Sequence, residues 1–275
     1  MRPTNRSPGS PFPRGSTGRR RAGVMAAVAV AAGATLAACG AFTAAPGDGP
    51  AAKDQHAGQA ATSVRVLWMG DSIAGAEAPA VEAALEASGV QVKNATSDGS
   101  GNVVAGDHPV TAVAAQDTWK TLKENLASFR PTVIAYQITT YDWGTSRQQL
   151  AAYQKLSRTA KDAGARLVVV SAPPFKIDDF YRPHKDAIKS APAMAAKVTD
   201  VRYLDASELW GDDYAAGKAQ RAQDGVHSCQ QGSAAFAAWF AKRLGELAGF
   251  TPAAPAVWAT GPWTGDDRFA KLGCG

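Results

Sequence analysis

The sequence predicts an α/β domain: a five-stranded parallel sheet between two helical layers, a three-layer αβα sandwich. Three observations carry that prediction. Short apolar runs alternate along the chain with segments whose apolar residues recur every three or four positions, the pattern of strands joined by crossover helices. The clearest run, Arg166–Ser171 (RLVVVS), is apolar almost throughout, as expected of a strand covered on both faces. Hydrophobic residues make up 45% of the 275 residues and charged residues 19%, which is enough for the packed core of one large domain.

The elements follow in order. Val64, Val66, Leu67 and Trp68 form a short buried strand that Gly70 breaks. A helix is expected over Pro79–Ser88, with Pro79 in its first turn, Val81 and Leu85 on one face and Gly89 as the stop. Val90–Asn94 is the second strand, followed by the flexible loop Thr96-Ser97-Asp98-Gly99-Ser100-Gly101. Trp119, Leu122, Leu126 and Phe129 mark the apolar face of a helix that Pro131 ends, and Thr132–Gln137 is the third strand. Leu150, Tyr153, Leu156 and Ala160 mark another helix, closed by Gly164 and leading into Arg166–Ser171. Pro173-Pro174 stops that strand. A helix near Asp186–Val198 contains Pro192, and Val201–Leu204 is the last strand. Ser233 is expected to cap a final helix with Phe236, Phe240, Leu244 and Leu247 on one face. The tail, rich in Pro, Gly, Ala and Thr, carries Trp258 and Trp263. Anchoring the tail is their expected job, with the lining of a sugar site as the alternative.

The domain, residues 63–250, has a leader before it. Arg19-Arg20-Arg21 precedes the apolar, alanine-rich run Ala22–Ala38 and then Cys39, the layout of a secretory signal, and the run is short of the ~20 residues of a membrane-spanning helix. Residues 1–38 are therefore read as a signal peptide, residues 39–62 as a flexible tether and residues 251–275 as a C-terminal tail. Leu36-Ala37-Ala38-Cys39 resembles a bacterial lipobox, which implies a lipid on Cys39 and a place on the outer face of the cell membrane. The formal charge of +5 is no sign of a nucleic-acid partner. The six arginines before Cys39 account for it, and without them the charge is −1. Export also predicts that the two remaining cysteines, Cys229 and Cys274, pair. Closing a loop of that size stabilises by about 4 kcal/mol in the chain-entropy view. No CxxC or Cys/His spacing suits a metal, and neither a metal nor a cofactor is expected.

Gly70-Asp71-Ser72 lies at the carboxyl end of the first strand, where open α/β sheets hold ligands and reacting groups. The tripeptide reads as a nucleophile on a tight turn, although the same residues also make ordinary surface turns. A serine nucleophile needs a base, and the base needs a group to fix its tautomer. Of the four histidines, His56 lies in the tether, and His108 and His184 lie in loop-like segments with no acid at a telling spacing. His227 ends Asp224-Gly225-Val226-His227, between the last strand and the last helix. An acid three residues earlier can turn back to the Nδ1 side of the ring and leave Nε2 facing the serine.

These blocks resemble the SGNH (GDSL-like) hydrolase superfamily over about residues 63–248. The first block matches Gly70-Asp71-Ser72, the last Asp224-Gly225-Val226-His227, and the glycine of the second block Gly99. The resemblance implies a flavodoxin-like fold and serine-dependent ester hydrolysis or acyl transfer. Ser72 would be the nucleophile, His227 the base and Asp224 its partner. The backbone N–H groups of Ser72 and Gly99 would form the oxyanion hole. The third block departs. Where the family has Gly-x-Asn-Asp this chain reads Thr139-Thr140-Tyr141-Asp142, so the third oxyanion donor would have to be the Tyr141 hydroxyl. Asp142 is expected to cap the following helix, with orienting the loop as the alternative. An aromatic before Asp, the Asp-Gly-Val-His-Ser-Cys run and Ser171-Ala172-Pro173-Pro174 are similar to SGNH domains associated with membrane acyltransferases for cell-surface glycans.

The function expected is that of an exported esterase or O-acyl (acetyl) hydrolase, acting as a monomer on an ester substrate such as an acylated polysaccharide, its pocket walled by residues 102–115 and 175–200. O-acyl transfer to glycans and a non-catalytic envelope-binding protein on the same scaffold are the alternatives. A nucleotide binder is disfavoured: there is no Walker A run and no G-x-G-x-x-G after the first strand.

Overall fold

The structure, a computed structural model, describes residues 62–274. The signal peptide expected over 1–38, the lipidation site Cys39, the tether up to residue 61 and His56 lie outside the described residues.

Among the described residues, strands and α-helices follow in this order: β1 (Arg65–Met69), α1 (Ser72–Ala87), β2 (Gln91–Asn94), α2 (Pro109–Ser128), β3 (Val133–Gln137), α3 (Ser146–Asp162), β4 (Arg166–Val170), α4 (Lys185–Ala195), β5 (Val201–Leu204), α5 (Ser207–Trp210), α6 (Gln230–Ala248), α7 (Pro255–Trp258) and α8 (Asp267–Lys271). The five strands are all parallel, in the order β2-β1-β3-β4-β5. Successive side chains on a strand point to opposite faces. Val66 and Trp68 of β1 accordingly enter one core with α1, α6 and α7, while Leu67 and Met69 enter the other with α2, α3 and α4. Both faces of the sheet are covered, which is why β3 is buried along its whole length. The strand order reverses between β1 and β3, and the crevice beyond their carboxyl ends is the place where such sheets bind ligands.

Two helix starts differ from the sequence reading. The first helix begins at Ser72, not near Pro79, because Asp71 caps it: its Oδ1 accepts the Ile73 amide at 3.0 Å. Pro79 therefore sits inside α1, where it can offer no N–H to the Gly75 carbonyl. Burial of the small apolar face of α1 (Ala74, Ala78, Val81, Leu85) against Phe236, Phe240 and Leu244 of α6 outweighs that loss. The last helix starts at Gln230 with Cys229 as its cap residue. Ser233 does not cap it but lies one turn in, and its hydroxyl donates to the Ala76 carbonyl at 3.0 Å, joining α6 to α1.

The tail crosses the α1–α6 side. Trp258 is buried in that core, and the Trp263 indole N–H donates to the Trp258 carbonyl at 2.7 Å, so both tryptophans anchor the chain. Cys229 and Cys274 form a disulfide that ties the tail to the start of α6.

Candidate active site

Three segments meet at the carboxyl edge of β1 and β3. Ser72 is the first residue of α1, at a helix N-terminus whose N–H groups have no intrahelical partner and which favours negative charge. Asp71 is buried and holds the turn from both sides. Besides the Ile73 amide it takes two bonds at Oδ2, from the Thr140 amide at 2.7 Å and the Thr140 hydroxyl at 2.8 Å. Burial raises its pKa, with those hydrogen bonds working in the opposite direction. The acid of Gly-Asp-Ser thus locks the β1–α1 turn to the loop after β3.

The third segment brings the histidine. Asp224 Oδ1 accepts the amides of Val226 at 2.8 Å and His227 at 3.0 Å, which curls the loop back on itself. Asp224 Oδ2 then stands 2.6 Å from His227 Nδ1, and His227 Nε2 stands 2.8 Å from Ser72 Oγ. Hydroxyl, imidazole and carboxylate lie in sequence over a separation of 155 residues between Ser72 and His227. Partial burial pushes the Asp224 carboxyl up. The bonds from the His227 ring and the two amides outweigh it and hold the group below the usual carboxylate range.

The second glycine is displaced from its expected place. Gly99 is exposed, with nothing within 4 Å of where a Cβ would stand. Gly101 is buried, and a Cβ there would lie 2.2 Å from the Gly70 carbonyl oxygen and 3.1 Å from the Asp71 nitrogen. Gly101, not Gly99, is the glycine packed against the nucleophile's turn. The signal was present in the sequence, as two glycines in one loop with Gly101 next to the apolar pair Val103-Val104, but nothing local ranks them. Gly101→Ala is expected to cost more than about 2 kcal/mol, since it adds this clash to a φ of +82°. Gly99→Ala carries backbone strain alone, about 1–2 kcal/mol. Chemical denaturation of the two variants checks the order, and equal losses would refute the close approach.

The third block also differs. Asp142 does not cap α3. Thr145 does, in a capping box with Gln148. Asp142 is buried and accepts from the hydroxyls of Tyr136 (2.7 Å to Oδ2) and Tyr153 (3.0 Å) and from the Thr139 amide (3.2 Å), so it shapes the loop after β3. Burial brings its pKa up to about 6 against those bonds. Tyr141, half-buried, packs on Trp143, Phe180 and Tyr181, and its hydroxyl interacts with that of Tyr181. His184 stacks on Trp143 with ring centroids 3.5 Å apart, and His108 meets both rings edge-on. These two histidines belong to the aromatic wall and not to the Ser72 cluster. Among the described residues, no group of three or more His, Cys, Asp or Glu is arranged to hold a metal ion.

The family model for the SGNH domain (fused to AT3 domains) matches residues 39–227. Solved structures are similar to part of this chain. A candidate acylhydrolase from Bacteroides fragilis NCTC 9343 is 14% identical, with a TM-score of 0.50 over 70% of this chain and 92% of that one. A GDSL-like lipase from Bacteroides thetaiotaomicron VPI-5482 is 15% identical, with a TM-score of 0.49 over 67% and 88%. An acetylxylan esterase from Geobacillus stearothermophilus is 16% identical, with a TM-score of 0.47 over 68% and 96%. No curated protein matches the chain.

Proposed function

Because this chain belongs to the SGNH domain family, we propose that it is a carboxylic ester hydrolase whose nucleophile is Ser72, whose general base is His227 and whose base-orienting group is Asp224. The observation that carries this reading is the pair of contacts on one imidazole, 2.8 Å from Nε2 to Ser72 Oγ and 2.6 Å from Nδ1 to Asp224 Oδ2. In the first step Ser72 Oγ bonds to the ester carbonyl carbon while its proton passes to His227 Nε2. Negative charge on the carbonyl oxygen is met by the amide of Ser72 at the start of α1 and that of Gly101 in the loop after β2, and a donor of this kind is worth ~2.7–4 kcal/mol. The carbonyl re-forms, the alcohol leaves with the proton from His227, and an acyl-Ser72 ester remains. Water, losing a proton to His227, attacks that ester. The acid departs, and the proton returns to Ser72.

The substrate in this reading is an O-acyl, above all O-acetyl, ester of a polysaccharide, and the protein works outside the cell, anchored by a lipid on Cys39. The aromatic cluster of Tyr141, Phe180 and Tyr181, with Phe180 exposed and both tyrosines half-buried, supports a carbohydrate ligand, since accessible aromatic faces suit the apolar faces of sugar rings. Acyl transfer would use the same first step, with a sugar hydroxyl replacing water.

A fluorophosphonate probe is expected to label the protein at Ser72 alone, and the labelled protein to lose acetyl-ester turnover. Acetate release is then compared with acetyl transfer to a glycan acceptor. Absence of labelling at Ser72 would favour a non-catalytic binding protein. Transfer exceeding release would move the reading from hydrolase to transferase.

A further inference from the structure

The loop that presents His227 has little regular structure to hold it. Arg221 and Ser228 pair in an isolated antiparallel bridge, and the Ala222 amide donates to the His227 carbonyl at 2.7 Å. Within that closure Gly225 N donates to the Ala222 carbonyl at 2.9 Å. The Arg221 side chain clasps both ends of this hairpin. Its Nε donates to the Ala219 carbonyl at 2.8 Å, just before the hairpin, and its Nη1 donates to the Val226 carbonyl at 3.1 Å, on the peptide that leads into His227. The guanidinium also lies 4.4 Å from the centre of the Trp210 ring, and Trp210, buried, stacks on Phe236 of α6.

The third guanidinium nitrogen, Nη2, is buried and makes no hydrogen bond within the protein. Glu77 of α1, fully buried one and a half turns beyond Ser72, is electrostatically coupled to Arg221, yet no ion pair within 4 Å among the described residues joins the two. Gln137, at the end of β3, donates to Glu77 Oε2 at 2.7 Å. Glu77 Oε1 and Gln137 Oε1 are buried without partners, as Arg221 Nη2 is. Buried polar atoms are paired in folded proteins, and internal water with two to four partners serves where side chains do not meet. Three such atoms on mutually interacting side chains, one of them a guanidinium, supply the donors and acceptors that such a water needs.

We propose that Arg221 is a positioning residue for His227: internal water links its Nη2 to Glu77 and Gln137, and from that anchor the guanidinium fixes the Val226–His227 peptide and so the imidazole relative to Ser72. The proposal rests on the reading of Ser72, His227 and Asp224 as the reacting groups. Its physical basis is the geometric tolerance of catalysis, in which a misplacement of 1 Å costs about 10²-fold in rate. The planar fork matters as much as the charge, because three nitrogens must reach Ala219, Val226 and the buried water together, and a lysine ammonium cannot do so.

The test uses the full chain and its Arg221→Lys and Arg221→Met variants. In both, kcat for an acetyl ester is expected to fall about 10–100-fold with KM changed less than about threefold, the lysine giving no rescue. The His227 Nδ1–H proton, hydrogen-bonded to Asp224, is expected as a sharp downfield resonance in the unmodified protein and broadened in both variants. That resonance needs no substrate. An inactive unmodified protein would therefore sink the proposed activity, and the resonance would still report on the hairpin. Unchanged kcat and an unchanged resonance in the variants, whatever their melting temperatures, would overturn the positioning role. Should neither variant fold, a high-resolution crystal structure of the unmodified protein decides: ordered water between Arg221 Nη2 and Glu77 supports the anchor, and a direct ion pair or an empty space refutes it.

Discussion

Ser72→Ala is expected to lower kcat for an acetyl ester by about 10⁶-fold, His227→Ala by about as much, and the double variant by no more than either alone. The reason is the way the two groups share one proton. A serine hydroxyl is a weak nucleophile at neutral pH and must lose its proton as the new bond forms. His227 Nε2, at 2.8 Å, is the base placed to take it. Without the hydroxyl the imidazole has no attacking atom to serve, and without the imidazole the hydroxyl keeps its proton. Each deletion therefore removes the same step. What survives is the stabilisation of charge at the start of α1, which neither substitution touches. Initial rates on one ester panel for the three variants decide the matter. Losses that multiply in the double variant would mean that the two residues act in separate steps, and full turnover by Ser72→Ala would remove the nucleophile.

The sheet was legible because burial on both faces leaves a plain mark. β3 and β4 are runs of apolar residues bounded by Pro and Gly, and the structure places them at the centre of the sheet. The helix faces of α3 and α6 were legible for a similar reason, since Tyr153, Leu156, Ala160 and Phe236, Phe240, Leu244 all enter the cores. The start of α1 was not. Its first two turns are mostly small residues without a period, and the helix is set by an aspartate cap and by packing on α6, a partner about 150 residues away in sequence. Nor does the sequence mark where α2 starts, since its apolar spacing is clear only from Trp119 while the helix begins at Pro109.

At the site, the order Ser72, Asp224, His227 could be read because the acid and the base share one short loop and the DxxH spacing has a local geometric meaning. Gly99 was preferred over Gly101, and capping over loop orientation for Asp142, because these roles depend on contacts across the fold. Gly101 is singled out by the approach of Gly70, more than thirty residues away, and Asp142 by the hydroxyls of Tyr136 and Tyr153 on neighbouring elements. Ser233 shows the same limit. As the first hydroxyl of an apolar helix it has the sequence marks of a cap, yet its bond goes to another helix. Arg221, Glu77 and Gln137 left no mark in the sequence at all, because a buried charge has no signature until its neighbours are known.

Asp224→Asn is expected to lower kcat by about 10⁴-fold while leaving the fold intact. The argument is about which nitrogen carries the proton. Asp224 Oδ1 accepts two backbone amides, Val226 at 2.8 Å and His227 at 3.0 Å, so in the variant that position must keep an oxygen. The new NH₂ group is then turned towards His227 Nδ1, where Oδ2 stood at 2.6 Å. In the proposed mechanism Nδ1 donates to the carboxylate, which can only accept, and Nε2 is left to accept from Ser72. Opposite an amide NH₂, Nδ1 must accept, the ring proton moves to Nε2, and Nε2–H points at a hydroxyl it can no longer deprotonate. Asp224→Ala imposes no tautomer. The Asp224 side chain is 38% exposed, so water can take the Nδ1 proton there. The alanine variant should therefore be the more active of the two and the less stable, having lost both loop hydrogen bonds. The carboxyl group, held below the usual range, stays ionised through neutral pH, so its own titration puts no limb into the native kcat/KM profile there. Rates and denaturation midpoints of the two variants separate tautomer control from simple support of the loop. If asparagine proved as active as aspartate, or if alanine lost more activity than asparagine, the carboxylate would be a brace for the loop and the ring would be oriented by something else.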